Sequence, residues 1–171
     1  MKRLALCALG AMVCQIAFAQ DSGKTLVNEL VTHWETSKAL SLAVAEAMPD
    51  ASYSFQGAGA PEMSFGGQMN HIAAANGSYC SAAIGTKNPI SKPADDTKAT
   101  ATKNLTTAYD YCIDGLKEMT DADLQKKMKR GNGEVTKFEL FWGGFTHAAH
   151  HRGQAEVYLR LKGVTPPQYK F

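Results

Sequence analysis

The chain has 171 residues, of which 44% are hydrophobic, and it carries a formal net charge of +2 with its histidines neutral. Without Lys2 and Arg3 at the amino terminus, the basic residues would equal the 16 acidic ones in number. A balanced chain lacks the electrostatic footprint of proteins that bind nucleic acid or anionic membranes, so no partner of either class is expected. The length indicates a single domain with its own hydrophobic core.

The first 19 residues are predicted to be a signal peptide. Two basic residues precede an apolar run over residues 4–16, and Ala17-Phe18-Ala19 has the A-x-A form of a signal peptidase site. This run is too short to span a bilayer and no later run is long enough, so residues 20–171 are expected to form one soluble domain, periplasmic or secreted. A lipid anchor on Cys14 is the alternative, although Val13 precedes it where lipoprotein signals carry a small residue.

Apolar periodicity predicts two long helices in the first half of this domain. The first covers about residues 25–48 and is followed by a stretch over 51–63 that glycines and a proline interrupt. Ser64 is a suitable N-cap for the second helix, over 65–84, which Gly85 ends.

Two more long helices are predicted in the second half, with almost no alternating pattern typical of strands. The third helix covers about residues 97–119, and a short helix is expected over 121–129 before the break at Gly131-Asn132-Gly133. Thr136-Lys137-Phe138-Glu139 then has the form of a capping box, which opens a fourth helix running to about residue 162.

Four amphipathic helices predict an all-α fold, the four-helix bundle. The link over residues 85–96 has twelve residues, which reach roughly 40 Å when extended, whereas the second helix is only about 30 Å long. Such a link can cross the whole bundle and allows the second and third helices to run parallel.

Two cysteines, Cys80 and Cys112, remain after signal cleavage. In an oxidising compartment such a pair is expected to form a disulfide rather than a reactive centre. Cys80 follows His71 by nine residues, about 180° around the same helix, so it should point away from any site that includes His71. No C-x-x-C-H motif is present, which argues against a c-type cytochrome.

His147 and His151 are four residues apart in the predicted fourth helix. They therefore lie about 40° apart on one face, near enough to share a metal ion. His71, on the second helix, is the strongest candidate for a third ligand. His150 falls about 60° to the other side of His147 and is interpreted as a supporting or surface residue. His33 is interpreted as a surface or packing residue.

The closing sequence His147-x-x-His150-His151-Arg152-Gly153-Gln154, the run over 157–167 that ends in two prolines, and Met63-Ser64-Phe65-Gly66 leading to His71 resemble the DinB/YfiT family. The resemblance extends over essentially the whole mature chain. It implies a four-helix bundle with an up-down-down-up course. It also implies a divalent metal, zinc or nickel, held by His71, His147 and His151. Members of this family include bacillithiol transferases and mycothiol-dependent maleylpyruvate isomerases, in which the metal is thought to activate a thiol. Those members are cytoplasmic, and an exported protein departs from that pattern.

Three imidazoles suit zinc or nickel and leave a coordination position open for water or substrate. The expected function is therefore a metal-dependent enzyme that activates water or a thiol, a hydrolase or a thiol transferase acting on a small molecule. No carboxylate accompanies the histidines as in H-E-x-x-H, so the general base of a zinc protease is missing. The alternative is a non-catalytic bundle of the cell envelope that binds a metal or a small ligand. A homodimer is compatible with the sequence.

Several neighbours of these histidines could shape the site. Gly67 and Gly143 each stand four residues before a predicted ligand, where they provide either space above the metal or close helix approach. Gln154 and Tyr158 could orient a ligand, or they could be polar residues of the core. Asn70, like Asn76, is interpreted as a capping, packing or surface residue.

Overall fold

The computed structural model describes residues 23–57 and 63–170. The predicted signal peptide lies outside these residues. They form five α-helices, one two-stranded hairpin and a 3-10 turn at Asp50–Ser52. The elements are α1 (Thr25–Ala47), α2 (Phe65–Ile84), α3 (Lys98–Lys117), α4 (Asp121–Leu124), β1 (Lys127–Arg130), β2 (Gly133–Thr136) and α5 (Lys137–Leu161). None of the helices in this part of the chain has the length and apolarity needed to span a bilayer.

The ends of α2 and α5 follow local signals in the sequence. The Ser64 hydroxyl accepts the Gly67 amide at 3.0 Å, and Gly85 ends α2 with a φ of +84°. At the start of α5, Thr136 and Glu139 form the predicted capping box, each side chain accepting from the backbone amide of the other. The predicted N-caps and the glycine stop are thus confirmed.

The helix predicted over 121–129 is wrong in its second half, because α4 ends at Leu124 and residues 127–130 form β1. This strand pairs antiparallel with β2 through a two-residue turn, in which Gly131 has a φ of +58°. The leucine, lysines and methionine over residues 124–129 have good helix propensity, which is why the periodicity suggested a helix. The turn chemistry of Gly131-Asn132-Gly133 outweighs that weak preference and makes a hairpin.

The link between α2 and α3 crosses the bundle, so the two helices run parallel. Near their starts the Asn104 side chain donates to Asn70 Oδ1 at 2.9 Å, and further along Cys80 is bonded to Cys112. The Cα atoms of this disulfide are 5.4 Å apart. The predicted bridge is confirmed, and it lies on the α3 side of α2.

α1 runs antiparallel to α3. Glu46, near the end of α1, pairs with Lys98 at the first residue of α3, with 3.3 Å between the charged atoms. Glu35, halfway along α1, pairs with Lys117 at the last residue of α3, at 3.0 Å. These exposed pairs stabilise the bundle little, but they establish the direction of α3.

α5 runs parallel to α1. The Trp34 ring packs edge-on against Phe141 near the start of α5, and Arg152, two turns from its end, donates to Ser37 and lies 3.4 Å from Ser41 Oγ. Trp34 and Phe141 are buried in the core at the centre of the bundle. With α2 and α3 both opposed to α1, the course is up-down-down-up, as expected.

Candidate metal centre

The three predicted ligands lie together on the seam between α2 and α5. His71 comes from α2, whereas His147 and His151 come from successive turns of α5. One nitrogen from each ring lies within 4.8 Å of the others, and His71 Nε2 is 3.2 Å from His147 Nε2. All three side chains are partly buried. The antiparallel packing of α2 and α5 therefore converts two distant sequence motifs into one cluster.

Gln68 orients the third ring of this cluster. Its Oε1 lies 2.7 Å from His151 Nδ1, and only 2% of Gln68 is exposed. Because an amide oxygen is an acceptor, His151 Nδ1 donates, and the lone pair of the ring then lies on Nε2. Sequence reasoning missed Gln68. Its position one turn before His71 was the signal that could have indicated it.

The local environment favours the uncharged form of the His147 and His151 imidazoles. Burial lowers the pKa of His147, and the neighbouring His71 and His150 lower it further. Burial also lowers the pKa of His151 to about 4, helped by His147, His71 and His150, while the side chain of Gln154 acts in the opposite direction. Neutral imidazoles at physiological pH present free lone pairs, which is the form that binds a metal ion.

The residues present fit a divalent metal. Two nitrogens bound at 2.0–2.1 Å to one tetrahedral ion are about 3.4 Å apart, close to the 3.2 Å between His71 and His147. The other ring nitrogen of His147, Nδ1, is buried and has no hydrogen-bond partner among the described residues, whereas Nε2 faces His71. Three imidazole nitrogens suit zinc or nickel. The three-histidine cluster could therefore hold a metal ion.

The two other histidines lie outside the cluster. His150 is exposed, with its Nε2 3.1 Å from Gln154 Nε2 and its ring beside that of His151. His33 lies on α1, and its ring centre is 6.2 Å from that of Phe145. In this arrangement His150 supports or flanks the site.

The two glycines next to the histidines serve packing. A Cβ atom at Gly143 would lie 2.9 Å from Tyr79 Cε1, so the glycine admits the Tyr79 ring. A Cβ atom at Gly67 would lie 3.0 Å from the capping hydroxyl of Ser64 and 3.4 Å from an Asp96 oxygen. Close helix approach therefore accounts for Gly143, whereas Gly67 makes room for the cap of its own helix and for Asp96 of the 85–96 link.

The polar neighbours of the cluster mainly hold loops in place. Tyr158 donates to the Met63 carbonyl at 3.2 Å and packs its ring on Phe55. Asn70 is buried and donates to the Asp95 carbonyl and to Asp96 Oδ1. The packing role expected for Asn70 is confirmed. Tyr158 is a core residue that contacts Phe55 and Met63, both of which precede α2 in the chain.

Comparison with known proteins agrees with this architecture. The sequence matches the DinB family over residues 20–171. A DinB-like protein from Bacillus subtilis superposes with a TM-score of 0.71 at 21% identity, covering 84% of this chain and 99% of that one. A DinB-like protein from Bacillus cereus gives the same score and identity and is covered to 97%. No curated protein matches the sequence. The length of the family match, together with the fold, shows that the chain belongs to the DinB family.

Proposed function

We propose that the protein is an exported, metal-dependent enzyme in which His71, His147 and His151 bind zinc or nickel, and water is activated at an open coordination position. The number of ligands carries this proposal. Three imidazole nitrogens converge, and within residues 23–57 and 63–170 no fourth His, Cys, Asp or Glu joins them. Catalytic zinc sites typically have three protein ligands and one open position, whereas structural sites are closed by four.

Each residue of the centre has a defined task. A divalent cation supplies Lewis acidity, which lowers the pKa of a coordinated water molecule or thiol toward neutrality. His71, His147 and His151 bind through neutral nitrogens, and Gln68 keeps the His151 ring in one orientation. Partial burial of the rings limits the water that competes for their lone pairs.

The expected compartment favours water over a thiol as the nucleophile. The disulfide between Cys80 and Cys112 is compatible with an oxidising compartment, where free thiol cofactors are scarce. The family match begins at residue 20, which is the residue at which the mature chain is expected to start. Both observations support export, and export favours hydrolysis over thiol transfer.

Metal titration of single variants tests the ligand set. Replacing His71, His147 or His151 by alanine should remove most of the metal affinity, since two imidazoles remain. His33→Ala and His150→Ala are matched controls that should keep a stoichiometry near one. The titration should use protein purified without chelator or nickel resin. If His150→Ala abolishes binding while His151→Ala does not, the ligand assignment is wrong.

Cobalt substitution tests the open position. The visible spectrum of the cobalt-loaded protein should change when azide is added, because a fourth position accepts it. Turnover of chromogenic esters by the zinc-loaded protein, lost in His147→Ala, would support hydrolysis. A spectrum insensitive to azide, with no turnover, would favour the non-catalytic metal-binding bundle instead.

A further inference from the structure

Tyr79 forms one wall of the histidine cluster. It lies on α2, two turns beyond His71, and its ring centre is 6.2 Å from the ring centre of His147. The ring covers Gly143, where any larger residue would collide with it. Because Gly143 has no side chain, α5 leaves room for the Tyr79 ring beside the cluster.

Arg130 stacks on the Tyr79 ring. It is the last residue of β1, and its guanidinium carbon lies 4.6 Å from the centre of the Tyr79 ring. The distance from the guanidinium carbon to the centre of the His147 ring therefore cannot exceed the sum of these two distances, 4.6 Å and 6.2 Å. This separation is within the length of a small organic molecule.

The charge of Arg130 is not compensated by any described residue. Lys127, on the same strand, pairs with Glu134 at 3.7 Å, and Lys126 pairs with Asp123 at 2.6 Å. Arg130 forms no ion pair with any carboxylate of the described residues. Stacking on an aromatic face holds a guanidinium while leaving its N–H groups free to donate from the edge.

We propose that Arg130, positioned by Tyr79, binds an oxyanion group of the molecule that the histidine centre acts on. The planar fork of arginine matches carboxylate and phosphate groups with two parallel hydrogen bonds. The inferred ligand class is a small organic anion whose second polar end reaches the open metal position. This inference rests on the proposed metal site and adds the substrate class to it.

A second cation that lies over an aromatic ring provides a matched control. Lys162 lies 5.0 Å from the centre of the Phe55 ring, which packs on Tyr158. Tyr158 is seven residues beyond His151, about 10 Å along the helix, and Lys162 follows it by one further turn, just after the end of α5. Lys129 is an exposed cation on the same strand as Arg130.

Calorimetric titration of the zinc-loaded protein with glutarate and with butyrate tests the proposal. Both probes offer one carboxylate to the metal, and only glutarate offers a second to Arg130. We expect glutarate to bind about tenfold more tightly than butyrate, because charge-assisted hydrogen bonds form. The difference should disappear in R130Q, shrink in Tyr79→Leu and persist in Tyr79→Phe, K129Q and K162Q.

The outcomes separate this inference from the metal site. If the protein and all variants bind one zinc, but R130Q keeps the preference for glutarate or the wild-type protein shows none, the role of Arg130 is wrong and the metal site stands. If K129Q or K162Q loses the preference as R130Q does, the effect is general surface charge and the inference fails. If the wild-type protein binds no zinc, the proposed function itself fails, and this inference fails with it.

Discussion

Gln68 is the residue that determines which nitrogen of His151 faces the other two rings, because its buried amide oxygen accepts from Nδ1. Partners of this kind raise the basicity of a ligand and hold its ring. Gln68→Leu should therefore weaken metal binding by about 10- to 100-fold. Gln68→Glu, which keeps an acceptor, should retain the affinity.

Competition titration against a chelator of known affinity measures this effect. Gln125→Leu, at an exposed position after α4, is the control and should match the wild-type protein. Equal affinities for Gln68→Leu and the wild-type protein would show that the His151 ring is held by its packing alone.

The lowered pKa values of His147 and His151 make the metal-free fold sensitive to acid. The unfolded chain titrates these histidines near the unperturbed value of about 6.5, whereas folded His151 resists protonation until about pH 4. Between these values the unfolded state binds more protons, so stability decreases as pH falls. Above about pH 6.5 both states are neutral at these rings, and they add no pH dependence.

Urea unfolding of the metal-free protein between pH 7 and pH 5 checks this slope. His151→Gln removes the titrating group and should show a shallower loss of stability over the same interval. Identical slopes for the two proteins would contradict the assigned pKa direction. Metal affinity should weaken over the same range, because protons compete for the ring nitrogens.

At the scale of elements, α1 depends on a residue almost a hundred positions away. Lys24 provides no side-chain cap at its start, and Asp121 of α4 accepts the Leu26 and Val27 amides at 3.1 Å and 2.9 Å. A carboxylate at this position satisfies free amides and interacts favourably with the helix dipole. The start of α1 is thus tied to the end of α3 through α4.

Replacing Asp121 by alanine should destabilise the protein by about 0.5–2 kcal/mol, the usual range for losing an N-cap. Asp121→Asn keeps an acceptor without the charge, so its stability should lie between those of the wild-type protein and Asp121→Ala. Asp114→Ala, at an exposed position on α3, serves as the control. Chemical denaturation measures all four proteins, and an Asp121→Ala variant as stable as the control would contradict the capping role.

For the whole molecule, the crossover and the disulfide together establish the parallel pairing of α2 and α3. Cys80 and Cys112 are separated by 32 residues, so the bridge closes a loop that includes the crossover. The chain-entropy treatment values such a closure at about 3–4 kcal/mol. The Cys80→Ala/Cys112→Ala double variant should therefore unfold at lower denaturant concentration with the same fold.

Intact mass of the periplasmic protein checks the bridge and the predicted export together. The mass should correspond to a chain beginning at Gln20, lower by two hydrogens than the reduced form. Two free thiols would contradict the bridge. Retention of the full 171-residue chain in the cytoplasm would contradict export.

Local patterns in the sequence predicted most of the architecture. Helix positions followed from apolar periodicity, and the ends of α2 and α5 followed from Ser64, Gly85 and the Thr136 capping box, because these signals act within a few residues. The length of the 85–96 link permitted parallel helices. The four-residue spacing of His147 and His151 placed both on one face, and the family resemblance added His71.

Tertiary structure decided the features that join distant segments. Sequence spacing orders residues around one helix, but it does not say which side chains of another helix face them. Only packing of α2 against α5 brings Gln68 to His151 and sets Tyr79 on Gly143, and only the hairpin carries Arg130 to that ring. The three histidines that form the cluster were therefore identifiable from the chain, whereas the orientation and surroundings of their rings depend on contacts between elements.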